Sequence, residues 1–339
     1  MGSYSFWNNK GGVGKSFLVF ATSCEYANQH PDEKILVLDL CPQANLTEIL
    51  LGGKDLSSKA LDEFYSETPR KSVGGYFESR LSSPFIPLKD IGNFIVSPHK
   101  YNKNIPQNVV LLPGDNLLEL LSEAIRQAAQ MSVPVDAWSK IMRWLCDFVD
   151  SYKDEVKSKI TVFVDCNPSF SIYNQIGLCA SSSLVIPFTA DDSSRRGVEN
   201  IFALLYGIAS SELAPYARLS FSKKAYDEGL ALPKIHSVVS NMVTMYKGKP
   251  SNAWSAKSGQ ITGLITKLKT QNEHVFFPKE NIYFDVPDHH AAAVVSSTEG
   301  CPISLLKPGP HEIEGRVVQI NKKPLEKYVS AIKKLVEDM

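Results

Sequence analysis

The sequence predicts an α/β protein built on a mostly parallel, doubly wound sheet flanked by helices, and three observations lead there. Short β-rich runs alternate with longer helical patterns along most of the 339 residues. The first run passes directly into a glycine-lysine turn and then a helical run. The composition is that of a folded chain, 43% hydrophobic, 21% charged and 10% aromatic, which excludes disordered, collagenous and disulfide-framed classes. We read residues 1–339 as a single domain.

The strand runs are residues 4–7, 35–38, 109–112, 160–164, 184–188 and 235–239. Helical runs are expected over 17–28, 117–131 and 136–152. In the last of these Trp138, Ile141, Met142, Leu145, Phe148 and Val149 follow a 3.6-residue stripe. Residues 66–107 hold five prolines and three glycines, a breaker density that permits only short elements, and we read them as an irregular insertion over the face that carries the glycine-lysine turn. Residues 246–259 read as a second irregular stretch, and 324–339 as a closing C-terminal helix.

Lys+Arg and Asp+Glu both total 36, so no overall field draws the chain to polyanions, and such binding needs a local patch. Six separated cysteines without a C-x-x-C pair suit reduced thiols and no metal. No run approaches the roughly 18 apolar residues of a membrane span, and the first 20 residues do not resemble a secretory leader. The expected location is the cytoplasm.

The strongest signal is Asn8-Asn9-Lys10-Gly11-Gly12-Val13-Gly14-Lys15-Ser16. Glycines let successive backbone N–H groups point at phosphate oxygens, and the helix N-terminus behind them adds its dipole. Lys15 would reach the β- and γ-phosphates and Ser16 would ligate Mg²⁺, so ATP with Mg²⁺ is the expected cofactor pair. Gly11, Gly12, Val13, Gly14, Lys15, Ser16 and Phe17 are the candidate nucleotide-binding residues of this turn. Asn9 stands where a plain phosphate loop has its first glycine, and Lys10 adds a second lysine.

Lys10-Gly11-Gly12-Val13-Gly14-Lys15-Ser16 resembles the deviant Walker A loop of the ParA/MinD ATPases, a family that includes plasmid and chromosome partition proteins. The resemblance implies a P-loop NTPase fold of the SIMIBI type. It also implies that Lys10 crosses the interface of an ATP-sandwich homodimer to the partner's nucleotide; a solvated lysine near phosphates is the plainer alternative. Leu38-Asp39-Leu40-Cys41-Pro42-Gln43-Ala44-Asn45-Leu46-Thr47 resembles the family's second motif. There Asp39 would support Mg²⁺ or its waters, but the acid that positions the attacking water is replaced by Cys41. A neutral thiol is a weak hydrogen-bond partner, so binding should survive better than hydrolysis. A nucleophilic role for Cys41 is the lesser alternative. Phe17 stands where the family carries a second hydroxyl, removing a side-chain contact to the α-phosphate.

Ile160-Thr161-Val162-Phe163-Val164-Asp165 looks like the family's Walker B strand, with Asp165 a third candidate metal residue beside Ser16 and Asp39. Asn241, at the end of a later run, is similar to the asparagine that reads the adenine edge, or else caps a turn. Pro287 and Asp288 look like the loop beside the base. His289 and His290 are read as solvated.

The resemblance implies a slow ATPase (ATP + H₂O to ADP + phosphate) acting in DNA partition, with nonspecific DNA and a ParB-like adaptor as partners. Candidate DNA contacts are Arg195, Arg196, Lys223, Lys224, Lys247, Lys249, Lys322, Lys323, Lys333 and Lys334, each pair being also an ordinary solvated surface. Alternatives are a MinD-type positioning or scaffold protein with weak hydrolysis, and a P-loop biosynthetic enzyme. The C-terminal helix balances Lys against Glu and Asp, unlike the basic faces that seek anionic lipid, so a membrane partner is not expected.

Overall fold

A computed structural model describes residues 2–209, 221–246, 249–288 and 290–339. In chain order it contains β1 (Ser3–Phe6), α1 (Lys15–Gln29), β2 (Lys34–Asp39), α2 (Asn45–Leu50), α3 (Lys54–Ser66), α4 (Val73–Ser82), β3 (Val109–Leu112), α5 (Leu117–Ala128), α6 (Ala137–Met142), α7 (Trp144–Val156), β4 (Ile160–Asp165), α8 (Ile172–Cys179), β5 (Ser183–Phe188) and α9 (Asp192–Tyr206). There follow α10 (Phe221–Asp227), β6 (Lys234–Val243), β7 (Met245–Tyr246), β8 (Lys249–Pro250), α11 (Asn252–Gln271), β9 (Tyr283–Pro287), α12 (His290–Glu299), a hairpin of β10 (Gly309–Ile313) and β11 (Arg316–Ile320), and α13 (Lys322–Val336).

Among the described residues seven strands form one parallel sheet in the order β3-β2-β4-β1-β5-β6-β9. Both faces are covered, so the strands read as near-continuous apolar runs. In β2, Leu36 and Leu38 enter the core cluster that also holds Trp144, Phe148 and Ile201. Ile35 and Val37 point the other way, into a cluster with Leu18, Phe64 and Tyr328. The sheet therefore separates two cores, as expected for a doubly wound α/β fold. The chain returns from the β3 edge to insert β4 between β2 and β1. That return sets the C-terminal ends of β1, β2 and β4 side by side, where open α/β sheets bind ligands. No helix among the described residues is long and apolar enough to cross a membrane.

Several expectations need correction. Residues 66–107 are not all short irregular pieces, because α4 spans ten of them behind an N-cap in which Ser72 Oγ accepts from the Gly75 N–H at 3.1 Å. Gly75 serves close packing here, since a Cβ would stand 2.0 Å from the Arg70 carbonyl oxygen. None of these residues lines the phosphate cavity. Residues 252–259 begin the long helix α11, which Ser251 caps by accepting from the Trp254 N–H. The helical run over 136–152 divides into α6 and α7 at Arg143 (φ −86°, ψ 0°). Pro287 closes the edge strand β9 rather than lying in a loop, and Asp288 follows it outside the strand. Lys247 and His289 lie outside the described residues, as do the side chains of Lys249 and His290.

Candidate phosphate site

The glycine turn joins β1 to α1. Gly12 and Gly14 sit at φ 74° and 75°, in the left-handed region that costs an L side chain roughly 1–2 kcal/mol. Gly14 is the N-cap of α1, no side chain caps that helix, and no acid occupies its first turn. The first N–H groups of α1 are left for an outside acceptor, beside the positive end of the helix dipole. Asn8, fully buried, braces the turn: its Nδ2 donates to the Pro187 carbonyl at 2.8 Å and its Oδ1 accepts from the Lys10 N–H at 3.1 Å.

A cavity of about 360 Å³ opens in front of this turn, within the range of small-molecule sites. It gathers Gly11, Gly12, Gly14, Lys15, Ser16, Phe17 and Cys41 from the predicted set, with Gln43, Asn45, Cys166, Asn167 and Pro168 from neighbouring loops. Val13 is fully buried beneath it. Lys15 is 7% exposed, and its Nζ donates to the Lys10 carbonyl at 3.1 Å. Burial lowers its pKa, against the pull of Asp165.

Asp39 and Asp165 are register partners on β2 and β4, at 0% and 1% exposure. Burial raises the pKa of both carboxyls, and the charge on Asp39 adds to the rise at Asp165. Their partners differ. Asp39 Oδ1 accepts from the Cys41 N–H at 2.9 Å, and Oδ2 from the Thr47 N–H at 2.9 Å and hydroxyl at 2.7 Å. Among the described residues no well-formed hydrogen bond reaches either oxygen of Asp165, and the nearby Ser16 hydroxyl only partly opposes the pKa rise. A buried carboxylate left unsatisfied costs several kcal/mol in general, and a hard divalent cation held by oxygen ligands would relieve it. The residues present thus fit Mg²⁺. No group of three or more His, Cys, Asp or Glu side chains among the described residues could hold a metal unaided, so phosphate oxygens and water would complete its shell.

Cys41 sits at the cavity wall, 6% exposed, with its thiol donating to Gln43 Oε1 at 3.2 Å. Burial first, then the charges of Asp39 and Asp165, push its pKa up to about 12, which disfavours the thiolate a nucleophile needs.

Lys10 lies apart from the cavity lining. Its ammonium is bound within its own protomer, to Asp191 Oδ2 at 2.5 Å, Thr189 Oγ1 at 3.1 Å and Ser194 Oγ at 3.2 Å. Burial alone would raise the pKa of Asp191, but bonds from Lys10, Ser193, Thr189 and the Ser194 N–H outweigh it and hold the carboxyl well below its usual range. Sequence reasoning passed over Asp191, Thr189, Ser194 and Gln43 as site residues. The signal for Asp191 was its place ahead of Asp192-Ser193-Ser194, an N-cap pattern that α9 uses.

The base-side candidates do not line the cavity, although Asn241 stands directly against its lining residue Gly14. Asn241 is buried, with its Nδ2 donating to the Val13 carbonyl at 2.9 Å, and the Asp288 N–H donates to the Val243 carbonyl at 3.0 Å. Pro287 pairs with Val243 at the end of β9. The candidate DNA residues are also dispersed. Arg195 pairs with Glu199 at 2.7 Å and Lys224 with Glu228 at 3.8 Å, on helices of one sheet face. Lys322, Lys323, Lys333 and Lys334 belong to α13, on the other face.

The AAA_31 family model, described as an AAA domain, matches residues 2–213. The protein MJECL24 of Methanocaldococcus jannaschii is 25% identical over 231 residues, covering 68% of this chain and 75% of that protein. Apo McdA from Cyanothece superposes with a TM-score of 0.58 at 15% identity, covering 98% of each chain. A plasmid partition protein of Borrelia burgdorferi, solved with AMPPNP, gives 0.52 at 15% identity over 100% of this chain and 99% of that one. These structures share the seven-stranded P-loop fold derived above. With well over half of its length matched by the family model, the chain belongs to the AAA_31 family, and its P-loop α/β fold is shared with McdA and with the Borrelia partition protein.

Proposed function

We propose that this chain is a nucleotide-driven switch, an ATPase that binds ATP with Mg²⁺, closes as a sandwich homodimer, and in that form holds nonspecific DNA in a partition role with a ParB-like adaptor. The observation that carries the reading is one cavity walled by an uncapped helix N-terminus and a buried lysine, with the buried Asp165 carboxyl next in sequence to the lining residue Cys166 and near enough to that lysine for their charges to interact. The AMPPNP named with the Borrelia neighbour supports a nucleotide as occupant.

In this reading the N–H groups of the turn take the phosphate oxygens, and Lys15 lies against the outer phosphates. Ser16 and Asp165 would hold Mg²⁺, with Asp39 steadied behind them by Thr47; the bound ion supplies positive charge where phosphoryl oxygens gain negative charge. Cys41 holds its proton toward Gln43 and offers no carboxylate to orient water, so turnover is slow. Lys10 exchanges Asp191, Thr189 and Ser194 for a phosphate of the partner copy. The apolar stripe of α13 (Leu325, Tyr328, Ile332, Leu335, Val336) is buried within the protein, which favours packing over membrane use.

The test is to load the protein with ATP and Mg²⁺, measure its mass, and then measure its retention on nonspecific DNA across salt. A dimer with retention falling steeply as salt rises is expected; a monomer, or salt-insensitive retention, overturns the reading. A second reading, an ATP-loaded scaffold, is favoured by the neutral Cys41 alone. It predicts the dimer with no multiple-turnover phosphate release.

A further inference from the structure

Among the residues lining the phosphate cavity only Phe17 is aromatic. It follows Ser16 in the first turn of α1, half-buried, with its ring centroid 6.1 Å from that of Phe20 and 6.3 Å from that of Tyr328 on α13. The planes are tilted by 42° and 50°, so neither neighbour lies flat on the ring. Phe17 leaves the turn beside Tyr328 of α13, on the rim of the same cavity as the loops after β2 and β4. The ends of β6 and β9, paired at Val243 and Pro287, approach both the turn and α13. Asn241 and Met242 stand against Gly14, where an added Cβ would meet them at 2.5 and 2.9 Å. Asp288 lies close enough to Tyr328 for its charge to act on the phenol, whose pKa burial has already raised.

A triphosphate on the turn, with its outer phosphates against Lys15 and Asp165, directs whatever it carries toward the Phe17 side of the turn. A phenyl ring gives a phosphate no hydrogen bond, but it gives a base or sugar an apolar face. Resting on the phosphate-loop reading above, we infer that Phe17 is a nucleoside-contacting residue: its ring packs against the base or ribose, and the site selects a nucleoside triphosphate over a bare polyphosphate. Stacking of this kind accounts for roughly a tenfold or greater change in affinity per base on alanine substitution.

Calorimetric titration of the full chain with ATP and with inorganic tripolyphosphate, both with Mg²⁺, tests this. The wild type should bind ATP more tightly. Phe17→Ala should weaken ATP about tenfold and leave tripolyphosphate unchanged, and Phe17→Tyr should keep the wild-type preference. Phe17→Leu retains apolar bulk against Phe20 and Tyr328, so the ATP preference can be read even if the alanine variant unfolds; it should lose most of that preference. Equal losses for both ligands, or none, would overturn the inference, as would a wild type that binds both ligands equally. A wild type that binds neither would overturn the phosphate-loop reading itself, and this inference with it.

Discussion

The glycine turn carries two lysines, and the walls they face differ in kind. Toward β2 and β4, Lys15 is buried beside Asp165, whose oxygens take no well-formed hydrogen bond among the described residues and whose carboxyl is pushed above its ordinary range by burial and by Asp39. Toward β5, Lys10 sits on Asp191, which takes bonds from four groups and is held below its ordinary range. On the first wall the lysine donates to a backbone carbonyl rather than to the acid; on the second the lysine is bonded directly to the acid. The first is therefore the place where a ligand changes the energy of the molecule, and the second is a contact that must be given up before Lys10 can act elsewhere.

The sharpest way to break this contrast is Lys15→Ala, which removes a cation from a buried phosphate site. ATP affinity should fall by about 100-fold or more, read by calorimetry; retention of tight binding would remove Lys15 from the site. Next is Cys41→Asp, which restores an acid where a thiol now sits. ATP turnover should rise by about tenfold or more, by the scale of single catalytic groups, in a steady-state phosphate-release assay. An equal or lower rate would show that Cys41 is not the water-positioning place.

Lys10→Ala should leave ATP binding near the wild-type value and weaken ATP-dependent dimerisation about tenfold, the scale of one charge-assisted hydrogen bond. Sedimentation showing an unchanged dimer would confine Lys10 to its contact with Asp191.

The two acids should also differ in the sign of their pH response. With its pKa raised, Asp165 keeps its proton longer in the native state than in the unfolded chain, so it lowers stability as pH rises above the ordinary carboxylate range. Asp165→Asn should raise the melting temperature without ligand by about 2–4 °C at neutral pH and little at about pH 4, while abolishing the extra stabilisation that Mg²⁺ adds to ATP. Asp191 has the opposite sign: its contribution is present above the ordinary range and is lost as pH falls toward its depressed value. Its side chain is 42% exposed, so Asp191→Asn should cost no more than about 1 kcal/mol. A larger loss than that of any surface ion pair, in thermal or urea unfolding, would show that the β5 wall is a structural brace.

Much of this was legible in the chain itself. Six of the seven sheet strands announce themselves as short apolar runs, and the turn before α1 states its chemistry in nine consecutive residues, because local periodicity and backbone freedom are properties of neighbours in sequence. Asp39 and Asp165 could each be read as acids closing a strand. Their pairing could not, since it follows from β4 inserting between β2 and β1. The edge strand β9 and the helix α11 escaped notice because α11 buries only Ile261 and Ile265, too few for an apolar stripe, and because β9 is short and half-exposed. The chain alone dictated a phosphate-cradling turn on a parallel sheet and the thiol where an acid is expected. Folding decided which acid takes no well-formed hydrogen bond among the described residues, which lysine is already held across 181 positions of sequence, and which ring faces the cavity. Those depend on distances between segments that no local pattern encodes.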